Sequence, residues 1–221
     1  MRMINPWFRR GGILAAVAVC SLLVPLAPAH AALVTYSFAG NFDGDPLGMT
    51  PITGSFQFDN GTSGSGGIYN SAVTGMSLTI GSGVGSYTSV LAPGANAVTI
   101  SQNTNLGGGL LGDRWALVTA ATGPQVGDFS PFRFDLRFDD DSGGLFTNTN
   151  LQDPPSLATV SAARWRLMFE DSLGDPVALR GSITSLTAVP LPAAVILFGA
   201  GLISLVGLGA GGLRNLRGSR A

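Results

Sequence analysis

Along most of the chain, apolar and polar residues alternate with a period of two, and patches rich in Gly, Ser, Asn, Asp and Pro break the alternation. The clearest run is 131–138. Phe132, Phe134, Leu136 and Phe138 fall on one face and Arg133, Asp135 and Arg137 on the other, the pattern of a half-buried antiparallel strand. Residues 160–170 repeat it, with Trp165, Leu167 and Phe169 opposite Arg164, Arg166 and Met168. Further strands are predicted near 33–38, 52–58, 73–80, 87–91, 97–101, 114–119 and 177–186. The patches between them, such as 60–67 (NGTSGSGG), 106–112, 139–144 (DDDSGG) and 152–156 (QDPPS), read as turns. No helical period of useful length and no internal repeat interrupts this layout. The expected fold is all-β, an antiparallel β-sandwich or jelly roll, with a mixed barrel as the alternative.

Both ends depart from the alternation. Residues 1–31 read as a signal peptide. Arg2, Arg9 and Arg10 precede an uncharged, mostly apolar run over 11–27, and Ala29 and Ala31 place small residues at the −3 and −1 positions of a cleavage site after Ala31. The run is short for a membrane span, which favours cleavage over anchoring. Cys20 follows the bulky Val19, which does not suit a lipoprotein signal, and it leaves with the signal peptide. At the other end, residues 193–213 carry no charge. As a helix they reach roughly 31 Å, enough for a hydrocarbon core of about 30 Å. Pro190 and Pro192 precede this stretch, and Arg214, Arg217 and Arg220 follow it. The basic end is expected to stay cytoplasmic, with residues 32–188 on the far side of the membrane. Gly207 and Gly211 form a G-x-x-x-G spacing, a weak signal in so glycine-rich a segment.

Charge and chemistry narrow the functional classes. All 13 acidic residues lie in 32–188 against six arginines (Arg114, Arg133, Arg137, Arg164, Arg166 and Arg180), so that domain carries about −7 and is a poor partner for nucleic acid. The chain has no lysine, and His30 and Cys20 both fall in the signal peptide. The exported domain therefore cannot build a Ser-His-Asp or Cys-His arrangement, a zinc site ligated by His or thiolate, or a lysine Schiff base. Carboxylate chemistry remains, but Glu170 is the only glutamate and most aspartates sit in turns, so a non-enzymatic role is expected. No cofactor is expected. Asp139 and Asp141, in the DDDSGG turn, are a calcium candidate, although the spacing is not that of an EF-hand and an acidic solvated turn is the preferred reading. Asp43-Gly44-Asp45 reads the same way. Trp115, Trp165, Tyr36, Tyr69 and Tyr87 are the candidates for a sugar-stacking platform, Tyr69 and Trp115 foremost because they adjoin turns.

The tail Val189-Pro190-Leu191-Pro192-Ala193, the apolar segment with Phe198-Gly199-Ala200-Gly201-Leu202, and the closing arginines resemble the VPLPA variant of the PEP-CTERM sorting domain. The literal Pro-Glu-Pro triplet is absent, and the basic residues are spread out as RNLRGSR. The resemblance covers about 30 residues and nothing upstream with comparable force. It implies a Gram-negative bacterium, export through the secretion machinery, and an inner-membrane precursor processed by an exosortase-type enzyme. The product would then reach the cell surface or the extracellular matrix, with extracellular polysaccharide as a partner. The alternatives are a carbohydrate-binding module, with or without calcium, and a plain C-terminally anchored periplasmic domain.

Overall fold

The computed structural model describes residues 33–43 and 50–190. The chain divides into two units, 1–31 and 32–221, and all the described residues belong to the second. The predicted signal peptide with Ala29 and Ala31, the motif residues Leu191, Pro192 and Ala193, the predicted helix over 193–213, and Arg214, Arg217 and Arg220 lie outside the described residues. Among the described residues, no helix is long and apolar enough to cross a membrane.

The strands are β1 (Leu33–Phe42), β2 (Ile52–Asp59), β3 (Ile68–Asn70), β4 (Val73–Ile80), β5 (Tyr87–Gly107), β6 (Leu110–Thr122), β7 (Ser130–Asp140), β8 (Ala162–Glu170) and β9 (Pro176–Val189). Every pairing is antiparallel. The ladder passes from β1 through β2, β4, β5, β6, β7, β8 and β9 and returns to β1, while β3 adds to β5 from outside the circuit. The all-β antiparallel expectation therefore holds. The pairing differs from a sandwich or jelly roll in that one continuous sheet closes on itself as an eight-stranded up-and-down barrel.

The physical source of that difference is β5. Two short strands, 87–91 and 97–101, are predicted there. Instead the chain runs on through them as one 21-residue strand. Its pairing with β6 breaks between Leu91 and Asn96, so Pro93, which has no N–H to donate, sits where the ladder asks for none. Gly94 there adopts φ +143. The first part of β5 holds β4, the later part holds β3, and β6 spans both, which closes the circuit. The β5–β6 hairpin turns at Gly107, Gly108 and Gly109, all with positive φ, a run that side chains other than glycine rarely sustain.

The inward positions are large and leave a filled interior, as an eight-stranded barrel allows. Phe56, Phe58, Trp115, Phe134, Leu136, Phe138, Trp165 and Leu167 are all essentially inaccessible. Trp115 lies between Phe56, Phe58 and Phe138, with ring centroids 5.7–6.0 Å apart. The connection from β7 to β8 contributes as well. Its Phe146 is buried, the backbone N–H of Phe146 donates to the buried Asp113 carboxylate (3.0 Å), and the carbonyl of Thr149 accepts from the Tyr69 hydroxyl (2.7 Å).

Candidate functional site

The tyrosines and tryptophans proposed as a stacking platform are mostly core. Trp115 and Trp165 are buried, and their indole N–H groups donate to the carbonyls of Gln152 and Asn41, each at 3.0 Å. Tyr69 and Tyr36 are buried too, and Tyr36 stacks on Phe56 at 5.4 Å. Tyr87 packs on Phe169. These rings fill the barrel because their strands alternate, and proximity to turns in sequence did not put Trp115 at the surface.

Asp139 and Asp141 are engaged within the protein. Asp139 accepts from Arg114 through Nε (2.6 Å) and Nη2 (3.2 Å). The Asp141 carboxylate accepts from the Ser161 hydroxyl, whose oxygen in turn accepts the Asp141 N–H at 3.0 Å. Asp140 organises the turn itself, accepting from the hydroxyl and N–H of Ser142 and the N–H of Gly144. The Ser142 hydroxyl is the main cause holding the Asp140 carboxyl below its ordinary range, against the effect of burial and aided by backbone N–H groups. Among the described residues, no group of three or more His, Cys, Asp or Glu side chains is placed to hold a metal ion.

What the register assembles instead is a basic face. All six arginines of the domain sit on β6 to β9, at positions whose neighbours along the strand, such as Trp115, Phe134, Leu136, Phe138, Trp165 and Leu167, point inward. Cross-strand pairing sets Arg114 opposite Asp139, Asp135 opposite Arg166, Arg137 opposite Arg164, and Arg166 opposite Arg180. Asp135 is buried and serves two guanidiniums, accepting from Arg133 Nε at 2.6 Å and from Arg166 Nε at 2.9 Å, with a second contact to Arg166 Nη2. Among the described residues, no ion pair engages Arg137, Arg164 or Arg180. Burial and then the nearby Arg114 guanidinium hold Arg137 below the ordinary arginine range. Arg166 acts in the same sense, and Asp139 and Asp135 oppose it.

The face is concave. A hollow of about 600 Å³ is lined by Arg137, Arg164, Arg166 and Arg180 together with Asp43 and Ser182. A second, of about 380 Å³, is lined by Leu106, Leu110, Asp139, Asp141, Ser161 and Arg164. Arg164 belongs to both. Sequence reasoning marked these arginines only as the polar side of two strands. The available signal was that every cation of the domain falls in the four consecutive strands β6 to β9.

No family model matches the chain, no curated protein matches it, and no solved structure matches it.

Proposed function

We propose that the chain is an exported, non-catalytic surface or extracellular-matrix protein, delivered by a C-terminal sorting signal that an exosortase-type membrane enzyme reads at Val189-Pro190-Leu191-Pro192-Ala193. The observation that carries the reading is how the barrel meets its two flanking segments. β9 ends at Val189, the first residue of the motif, and Val189 lies directly opposite Thr35 near the start of β1. β1 begins at Leu33, two residues after the proposed signal cleavage at Ala31. The chain therefore enters β1 and leaves β9 on adjacent strands at one end of the barrel. That suits a precursor held by both segments with the barrel on one side of the membrane. Residues 193–213 then form the spanning helix, and Arg214, Arg217 and Arg220 its cytoplasmic stop. A cut within the motif, beyond Val189, leaves every β9 pairing in place, so processing does not cost the domain its fold.

Mass spectrometry of the mature product tests this. The expected N-terminus is Ala32 and the expected C-terminus lies between Val189 and Ala193. A mature product that retains Ala221 overturns the sorting reading in favour of a plain anchor.

A further inference from the structure

The barrel's interior is filled, so a ligand must meet its outer surface, and one part of that surface is built against its own stability. Like charges directly opposite one another in a sheet are unfavourable. Here Arg137 faces Arg164, and Arg166 faces Arg180, on three adjacent strands. Adjacent strands lie about 4.8 Å apart, so Arg137 and Arg164 are direct neighbours, and Arg180 lies one strand beyond Arg164 and two residues, about 7 Å, along it. Asp135 pairs with both Arg133 and Arg166, and Asp139 pairs with Arg114. Among the described residues, three guanidiniums are left without an ion pair, in a domain that otherwise carries a large excess of acid.

We propose that the outer face of β7, β8 and β9 is a binding groove for a linear polysaccharide bearing carboxylates, with Arg137, Arg164 and Arg180 as its anion-binding residues. Each part of the occupant's description has its own reason. Guanidinium forks match carboxylates in two parallel hydrogen bonds. The two hollows share Arg164, so an extended ligand can reach both where a single small anion cannot. The Ser182 and Ser161 hydroxyls and four carboxylates (Asp43, Asp135, Asp139 and Asp141) line the same hollows beside the arginines and offer partners to sugar hydroxyls. A sparse polyanion also suits the overall charge. Nucleic acid, with one charge per about 1.7 Å of duplex, would bring many phosphates against these acids. The inference rests on the surface-protein reading only in placing such a polymer within reach.

Binding is measured by calorimetry on the full chain in detergent, using polygalacturonate as the probe and its fully methyl-esterified form as the neutral control. Polygalacturonate is expected to bind and to weaken with added salt, whereas the ester does not bind. Arg137→Gln/Arg164→Gln and, separately, Arg180→Gln are each expected to weaken binding about tenfold or more. Arg133→Gln, outside both hollows, should keep it. The first variant removes directly opposed like charges and should melt no lower than the parent, and Arg180 is exposed, so loss of binding is separable from loss of fold. Equal binding of acid and ester overturns the proposal, as do arginine variants that bind normally. Tighter binding of a short DNA duplex overturns it in favour of nucleic acid. Self-association abolished by Arg180→Gln overturns it in favour of a second copy of the chain. None of these results alters where the C-terminus is cut, so the failure of this inference and of the sorting reading are told apart.

Discussion

Replacing Asp135 with asparagine should destabilise the barrel and, in the same molecule, strengthen its hold on anions. The Asp135 side chain is 3% exposed and accepts from two guanidiniums whose side chains are 43% and 36% exposed. A hydrogen bond to a charged group contributes about 1.5–3 kcal/mol, and loss of a partner to a buried charge can cost about 3–5 kcal/mol. Both arginines can turn toward water, so the lower part of that range applies and the expected cost is about 2 kcal/mol. For a domain of this size, each kcal/mol moves the midpoint by about 2–4 °C, giving a fall of about 4–8 °C. Tryptophan fluorescence follows the melt, since Trp115 and Trp165 are both buried. Part of the cost is repulsion among arginines that Asp135 no longer offsets, so the gap should narrow at about 1 M salt, where the Debye length is about 3 Å. Asp128→Asn, at an exposed turn, is the control and should shift the melt little. If Asp135→Asn melts within about 1 °C of the parent, or if it weakens polygalacturonate binding, the account of Asp135 as the neutralising hub of this face is wrong.

Two further predictions concern the wall and the core. Tyr36 has its pKa pushed up from 10.0 to about 12 by burial first, then by the charge of Asp153 and a hydrogen bond to it. The folded state thus holds the phenolic proton more tightly than the unfolded state, and this contribution is complete below pH 10 and lost as pH rises from 10 toward 12. Urea unfolding across that range should show the parent losing stability relative to Tyr36→Phe, and parallel curves would contradict it. At the β1–β9 seam, a Cβ on Gly181 would lie 1.8 Å from the Asn41 carbonyl oxygen and 2.7 Å from the Trp165 indole nitrogen that bonds it. Gly181→Ala should therefore cost about 2–4 kcal/mol in thermal unfolding. At Gly75 the nearest atom to a new Cβ is Gln57 Cβ at 3.5 Å, so Gly75→Ala should be nearly neutral. Equal costs at the two sites would refute the steric argument.

The alternation of 131–138 and 160–170 made the inward faces of β7 and β8 legible, because a period of two is a local property of the chain. Phe134, Leu136, Phe138, Trp165 and Leu167 are buried as that alternation demands. Phe132 is the exception, only partly buried where the β7–β8 register shifts between Pro131 and Arg133, and a bulge of this kind leaves no periodic mark. Closure was not legible for a similar reason. It depends on the 21-residue β5 passing through Pro93 and Gly94 and pairing with neighbours on both sides. The extra strand β3, three residues long, is too short to show a period.

The basic face depends on register most of all. Arg137 stands opposite Arg164, but a slip of two residues in one direction would set Arg164 against Asp139, and in the other against Asp135. Each slip would also give up the Asp135–Arg166 pair and set Arg166 against Arg137 or Arg133, so charge does not single out the observed register. The inward residues do. In the observed register Leu136 meets Trp165, Phe134 meets Leu167, and the bulky Phe138 meets the small Ala163. A two-residue slip keeps the same side chains facing inward but changes which of them meet, and a misfitted core contact costs about 1–3 kcal/mol, whereas an exposed opposite-charge pair gains about 0–1 kcal/mol. The fit of the core therefore fixes the register, and the arginines take the neighbours it assigns them. Two like-charge pairs on one face follow from that register, and among the described residues Arg137, Arg164 and Arg180 make no ion pair, which leaves them available to an anion from outside.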